Sequence, residues 1–204
     1  MLLKLHFDRL DPMTTSRSPQ FLIYRNFKRR SILPLNPETI WLIDSGVVRT
    51  LTWFEDGSCA TLGLWGEGDL VGSALSASRA YEIECLTDVR AKVIPKAQWY
   101  LHTEAMILHI QKNEEFLKIV HCRQAEIAIM HLLNWLVKRF GSQVEQGELI
   151  NLRLTHQEMA EMIGTTRVTM TRILNNFERQ GLIQRQQHLL ILMSDRQEFW
   201  HYEI

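Results

Sequence analysis

A run of hydroxyl, amide and guanidinium side chains near the C-terminus carries the clearest chemistry. It reads Thr155-His156-Gln157-Glu158-Met159-Ala160-Glu161-Met162-Ile163-Gly164-Thr165-Thr166-Arg167-Val168-Thr169-Met170-Thr171-Arg172-Ile173-Leu174-Asn175-Asn176-Phe177-Glu178-Arg179-Gln180-Gly181. Thr155 with Glu158 three residues on is a capping box, which starts a helix of about two turns. Gly164 supplies the sharp turn at its end, because glycine tolerates positive φ. Thr165 or Thr166 caps a second helix, and Gly181 ends it. At about 100° per residue, Met170, Ile173, Leu174 and Phe177 fall within one arc of roughly 100°. Arg167, Val168, Thr171, Arg172 and Asn175 take the outward arc, with Arg179 beside them. Forked cations, hydroxyls, an amide and one apolar patch are what base edges in a major groove require of a reader. With the small Ala160 allowing two short helices to cross closely, the segment reads as a helix-turn-helix. The residues expected to meet DNA are Thr155, His156, Gln157, Thr165, Thr166, Arg167, Val168, Thr169, Thr171, Arg172 and Asn175. The outward arc holds only basic and neutral residues, so binding should depend moderately on salt.

The remaining composition narrows the alternatives. The chain has 204 residues, with 23 basic and 23 acidic side chains, 46% hydrophobic and 23% charged residues. These are values of an ordinary globular protein of one or two domains. Zero net charge argues against binding nucleic acid by bulk attraction, so a DNA function needs a local basic surface. No nucleophile–base constellation, P-loop, GxGxxG or HExxH occurs. The eight histidines show no paired spacing, and no metal site is expected. Cys59, Cys85 and Cys122 are odd in number and far apart, which points to a reduced, cytoplasmic setting. No apolar run approaches the roughly 18–20 residues of a membrane span. Met1–Leu10 mixes charge with leucine, unlike a signal peptide. A second reading stays open: a small-molecule sensor or enzyme in which the helix-turn-helix only packs.

The elements that must hold this segment are also legible. Phe21–Tyr24, Trp41–Ile43, Val47–Phe54, Cys59–Trp65, Leu70–Gly72, Tyr81–Leu86 and Arg90–Ile94 read as short strands. Asp44-Ser45-Gly46, Glu55-Asp56-Gly57-Ser58 and Gly66-Glu67-Gly68-Asp69 are the turns between them. Lys96–His102 reads as a short helix. From Glu104 to Phe140 there is neither Gly nor Pro, which predicts one long helix with any break near Asn113. One row carries Leu117, Val120, Ile127 and Asn134, and another Ile119, Cys122, Ile129, Leu133, Leu136 and Phe140. Two apolar sides suggest two partners, the chain's own β domain and a second copy. Val144–Gly147 reads as a polar linker and Leu149–Leu154 as a small strand. Leu182–Arg185 and Leu189–Leu192 flank Gln186-Gln187-His188 as a hairpin wing, with Arg185, Gln187 or His188 near phosphate. The expected class is α+β: a β roll over 1–103, a dimerisation helix over 104–141 and a winged helix over 142–204.

In that order of elements, and in Thr155–Ala160 through Gly164–Leu174, the sequence resembles the CRP/FNR superfamily of transcription regulators. Its helix-turn-helix and the Lys138-Arg139-Phe140-Gly141 helix end are most similar to the NtcA-type global nitrogen regulators. The resemblance covers most of the chain. It implies an N-terminal domain like those that bind cyclic nucleotides, and a homodimer paired through the long helix on a palindromic operator. RNA polymerase is the expected further partner. Arg167 and Arg172 would then reach base edges or adjacent phosphates. Val168 stands where cyclic-AMP-responsive members carry Glu, and a thymine methyl suits it better than a cytosine amino group. The effector turn departs from the family. Gly72-Ser73-Ala74-Leu75 lacks the ribose-binding Glu, and of the phosphate-binding Arg-Ser pair only Arg79 remains. Cyclic AMP is therefore not expected. A small anion such as 2-oxoglutarate at Gly72, Ser73, Ala74 and Arg79 is the alternative, beside a member with no effector. The three cysteines lack the spacing of an iron–sulfur cluster.

Overall fold

A computed structural model describes residues 24–194 and has the expected α+β architecture. The N-terminal half is a roll of two antiparallel sheets. The strands are β1 (Tyr24–Phe27), β2 (Thr39–Ser45), β3 (Val48–Trp53), β4 (Cys59–Trp65), β5 (Leu70–Val71), β6 (Tyr81–Cys85) and β7 (Val89–Pro95). One sheet runs β1-β7-β2-β5 and the other β4-β3-β6. Alternation places Trp41, Ile43, Val48, Trp65, Ile83, Cys85 and Ala91 in the space between them. The turn after β2 needs its glycine: Gly46 has φ +87, and a Cβ there would lie 2.2 Å from the Asp88 carbonyl oxygen. The expected strand Phe21–Tyr24 lies outside the described residues except for Tyr24, and Met1–Leu10 lies wholly outside them.

The single helix expected over 104–140 is two helices, a correction to the sequence reading. After a 3-10 turn at Lys96–His102 come α1 (Thr103–Val120) and α2 (Ala125–Phe140). The break falls at His121–Gln124, not near Asn113. Neither Gly nor Pro makes it. The His121 ring donates to the Leu117 carbonyl at 2.9 Å, which also accepts the His121 amide at 3.0 Å and closes the last turn of α1. Gln124 turns extended and opens α2. Packing supplies the reason. Phe116 and Ile119 of α1 are buried, whereas Ala128, Ile129, Leu132, Leu133, Trp135 and Leu136 of α2 are buried around much of its circumference. A straight rod cannot serve both. The apolar rows drawn across residues 117–140 are therefore interrupted, and α2 is covered by its own chain.

The linker expected at Val144–Gly147 is a hairpin. It joins β8 (Gly141–Val144) to β9 (Gly147–Ile150), so the small strand ends four residues earlier than expected. Then follow α3 (His156–Ile163), α4 (Arg167–Arg179), β10 (Ile183–Gln186) and β11 (Leu189–Met193), with a sheet ordered β10-β11-β9-β8. Val47, Leu64 and Leu86 of the roll share one continuous core with α1, α2, α3 and α4.

A buried carboxylate ties the roll to both long helices. Asp69, 4% exposed in the turn before β5, accepts from the Gly66 amide at 2.8 Å, from Arg139 at 2.7 Å and from Lys112. Nearby, His109 of α1 stacks on Trp65 with ring centroids 3.9 Å apart and donates to the Leu70 carbonyl. Burial holds its imidazole below the ordinary value. Removing one member of a buried ion pair strands its partner. Asp69→Asn should lower unfolding free energy by about 3 kcal/mol or more, read from urea denaturation, while Glu67→Gln on the exposed side of the same turn changes it by under about 0.5 kcal/mol.

Candidate nucleic-acid interface

The two helices of the C-terminal unit are set by local chemistry. Thr155 accepts from the Glu158 amide at 3.1 Å, and the Glu158 carboxylate accepts from the Thr155 amide at 2.6 Å, a complete capping box. Gly164 ends α3 in the left-handed region at φ 67. Thr166, not Thr165, caps α4 by accepting from the Thr169 amide at 3.1 Å. Gly181 follows the end of α4 at φ 71. Met170, Ile173 and Leu174 are fully buried and Phe177 is 2% exposed, packed with Met159, Ala160 and Met162 of α3.

Burying that stripe forces the opposite face outward. Arg167, Val168, Arg172 and Asn175 are exposed, Val168 at 78%. Thr155, Gln157 and Thr166 are exposed as well, and His156, Thr165, Thr169 and Thr171 are half-buried beside them. One hydrogen-bonded chain links the two helices. The Thr171 hydroxyl donates to the Arg167 carbonyl at 2.8 Å, so its oxygen accepts from His156 Nδ1 at 2.7 Å. That fixes the tautomer and leaves Nε2 without the proton. Burial pushes the His156 pKa down, and the charges of Arg185 and Arg167 push it the same way.

The wing is a tight hairpin whose tip, Gln187 and His188, takes φ 47 and 71. Arg185 does not simply project toward solvent. It donates to the Asn175 side-chain oxygen at 2.8 Å and pairs with Glu178 at 2.8 Å, bracing the wing against α4. Gln187 and His188 are exposed. In the roll, Gly72 is buried and Ser73 opens a 3-10 turn with its hydroxyl buried and unpartnered. Ala74 and Arg79 are exposed. The Tyr81 hydroxyl bonds to the Gly72 backbone and to Thr50, and burial pushes it up to about 12.

Sequence reading missed the ion pairs that join the roll to α3. Arg49 of β3 pairs with Glu84 of β6 and with Glu161 of α3, each at 2.7 Å. An arginine on an apolar strand flanked by valine and threonine was the available signal, but nothing local identifies a partner 112 residues away.

The comparisons agree with this geometry. Residues 129–200 match the Crp-like helix-turn-helix domain family. The chain is 42% identical to the regulatory protein CysR of Synechococcus elongatus over 167 residues, covering 80% of this chain and 81% of that protein. It is 28% identical to the global nitrogen regulator of the same organism, over 72% of this chain and 73% of that protein. A CRP-family transcriptional regulator of Thermus thermophilus shares the fold with a TM-score of 0.73 at 19% identity, covering 83% of this chain and 92% of that one. These relatives are regulators, not enzymes.

Because burial favours the neutral ring, the free protein should titrate His156 below about 6.5. The stability it contributes is full above that value and is lost as pH falls through it toward the lower folded value. An NMR pH titration of His156 checks this, and a value at or above 6.5 contradicts it.

Proposed function

The chain belongs to the CRP/FNR family of DNA-binding transcription regulators, and from that premise we propose that it acts as a homodimer on a palindromic operator. The observation that carries the reading is the outward face of α4, clamped from below and bare above. Each α4 enters a major groove, with half-sites about one helical turn apart. Arg167 and Arg172 reach base edges or adjacent phosphates. Val168 gives an apolar contact of the kind a thymine methyl accepts. Thr155, His156, Gln157, Thr165, Thr166, Thr169, Thr171 and Asn175 border the same face, and Arg185 backs it from the wing.

What supports pairing is α1. Ile107, Ile110 and Leu117 of α1 are 51%, 61% and 55% exposed, and Tyr100 of the preceding 3-10 turn is 73% exposed. Ile107, Ile110 and Leu117 take three positions of a coiled-coil spacing, with Glu114 at the fourth between them. Thus the dimerisation helix of this reading is α1, and α2 opens the DNA-binding unit. We place a small anionic effector of the 2-oxoglutarate kind at Gly72, Ser73, Ala74 and Arg79, on the strength of the exposed guanidinium and the unpartnered Ser73 hydroxyl. The setting is cytoplasmic, in keeping with Cys59, Cys85 and Cys122 as free thiols, and the protein partner is RNA polymerase. Among the described residues no helix is long and apolar enough to cross a membrane.

A gel-shift assay on sites selected from random DNA tests the reading. Arg167→Ala and Arg172→Ala should each abolish specific retardation, a loss of about 1–3 kcal/mol of discrimination per contact. Both variants should sediment as dimers. Retardation equal to wild type in both variants contradicts the assignment of the face.

A further inference from the structure

We propose that Arg49 is the positioning residue that sets the bearing of the helix-turn-helix on the roll, and so the spacing between the two recognition helices of a dimer. Arg49 is 8% exposed, and its two carboxylate partners come from different parts of the molecule. Glu84, the neighbour of Arg49 across the β3–β6 ladder, accepts from Nε at 2.7 Å and aims the fork. Glu161 accepts from Nη1 at 2.7 Å on the far side of the joint, where α3 lies against β4. The other oxygen of Glu161 takes the Gln157 side-chain amide at 2.9 Å. An unbroken polar chain therefore runs from the roll to the edge of the DNA-facing surface.

Burial opposes the charge on Arg49, but the hydrogen bonds to Glu161 and Glu84 outweigh it and raise its pKa. Side-chain exposures of 10%, 18% and 16% for Arg49, Glu84 and Glu161 leave little water to screen the group. Without the guanidinium, two half-buried carboxylates face each other across the joint and push α3 off the roll. Cys59 lies beside this group: burial and the Glu161 carboxylate, to which its thiol is hydrogen-bonded, hold the thiol above its ordinary value, and the Arg49 charge works against them.

Arg49 makes its hydrogen bonds and ion pairs with Glu84 and Glu161, not with the outward residues of α4. Releasing the clasp thus leaves the reading surface intact and changes only where it is held. Simultaneous engagement of two half-sites depends on that geometry, and engagement of one does not. The inference rests on the dimeric reading above, and the experiment separates the two.

Affinity is measured by fluorescence anisotropy for the full palindrome and for a single half-site. For Arg49→Gln, full-site affinity should fall about tenfold or more while half-site affinity changes less than about twofold. The charge swap Arg49→Glu with Glu161→Arg should restore full-site affinity, which a fold merely damaged by the first substitution would not do. Equal losses on both sites, no loss on either, or a swap without recovery would overturn the clasp. A wild-type protein with no preference for the full palindrome would overturn the dimeric reading, and the proposal with it.

Discussion

The greasy underside of α4 is the constraint from which the rest follows. Met170, Ile173, Leu174 and Phe177 lie at or below 2% exposure in one stripe. Each side chain of this size contributes about 1.5–3 kcal/mol by leaving water. Rolling the helix by one residue, about 100°, would surrender several of these contacts and drive polar groups of the outward face toward the core. The orientation of Arg167, Val168 and Arg172 is therefore decided by apolar packing, not by anything those three residues do themselves.

That stripe is held by a core which does not stop at the domain border. It runs from Leu64 and Leu86 of the roll through α2 to Ile183 and Leu192 of the winged unit. Hydrophobic contact of this kind is non-directional and fixes proximity more than bearing. Direction comes from two buried ionic groups. Asp69 gathers Arg139 and Lys112, pinning the middle of α1 and the C-terminal end of α2 to the turn before β5. Arg49 joins β3 and β6 to α3. Such groups cost desolvation and give orientation in return, which suits a protein whose output depends on where a helix points.

What the sequence made legible was local. The capping box at Thr155 and Glu158, the left-handed turn at Gly164 and the register of the α4 stripe each depend on residues within a few positions of one another. The strands of the roll were bounded by their glycine turns for the same reason. What stayed hidden depended on distant packing. The break at His121–Gln124 contains no helix breaker and exists because α1 and α2 bury different faces against different partners. β8 went unread because Gly141-Ser142-Gln143 carry no alternation, and Val144–Gly147, which holds the turn of the β8–β9 hairpin, was read as a polar linker. Arg185 was read as a phosphate contact, and its brace to Asn175 and Glu178 became visible only once the wing was folded back. The effector residues Gly72, Ser73, Ala74 and Arg79 were legible as departures from a family pattern, which says what the turn does not bind more firmly than what it does.

The account turns on the outward face of α4 lying in a major groove, twice per operator. Dimethyl sulfate protection reads this directly, since it modifies guanine N7 on the major-groove edge. On a selected operator the protein should protect two sets of guanines centred about 10 base pairs apart. Guanine N7 atoms that stay fully reactive under saturating protein, at every position of a site it retards, would contradict it.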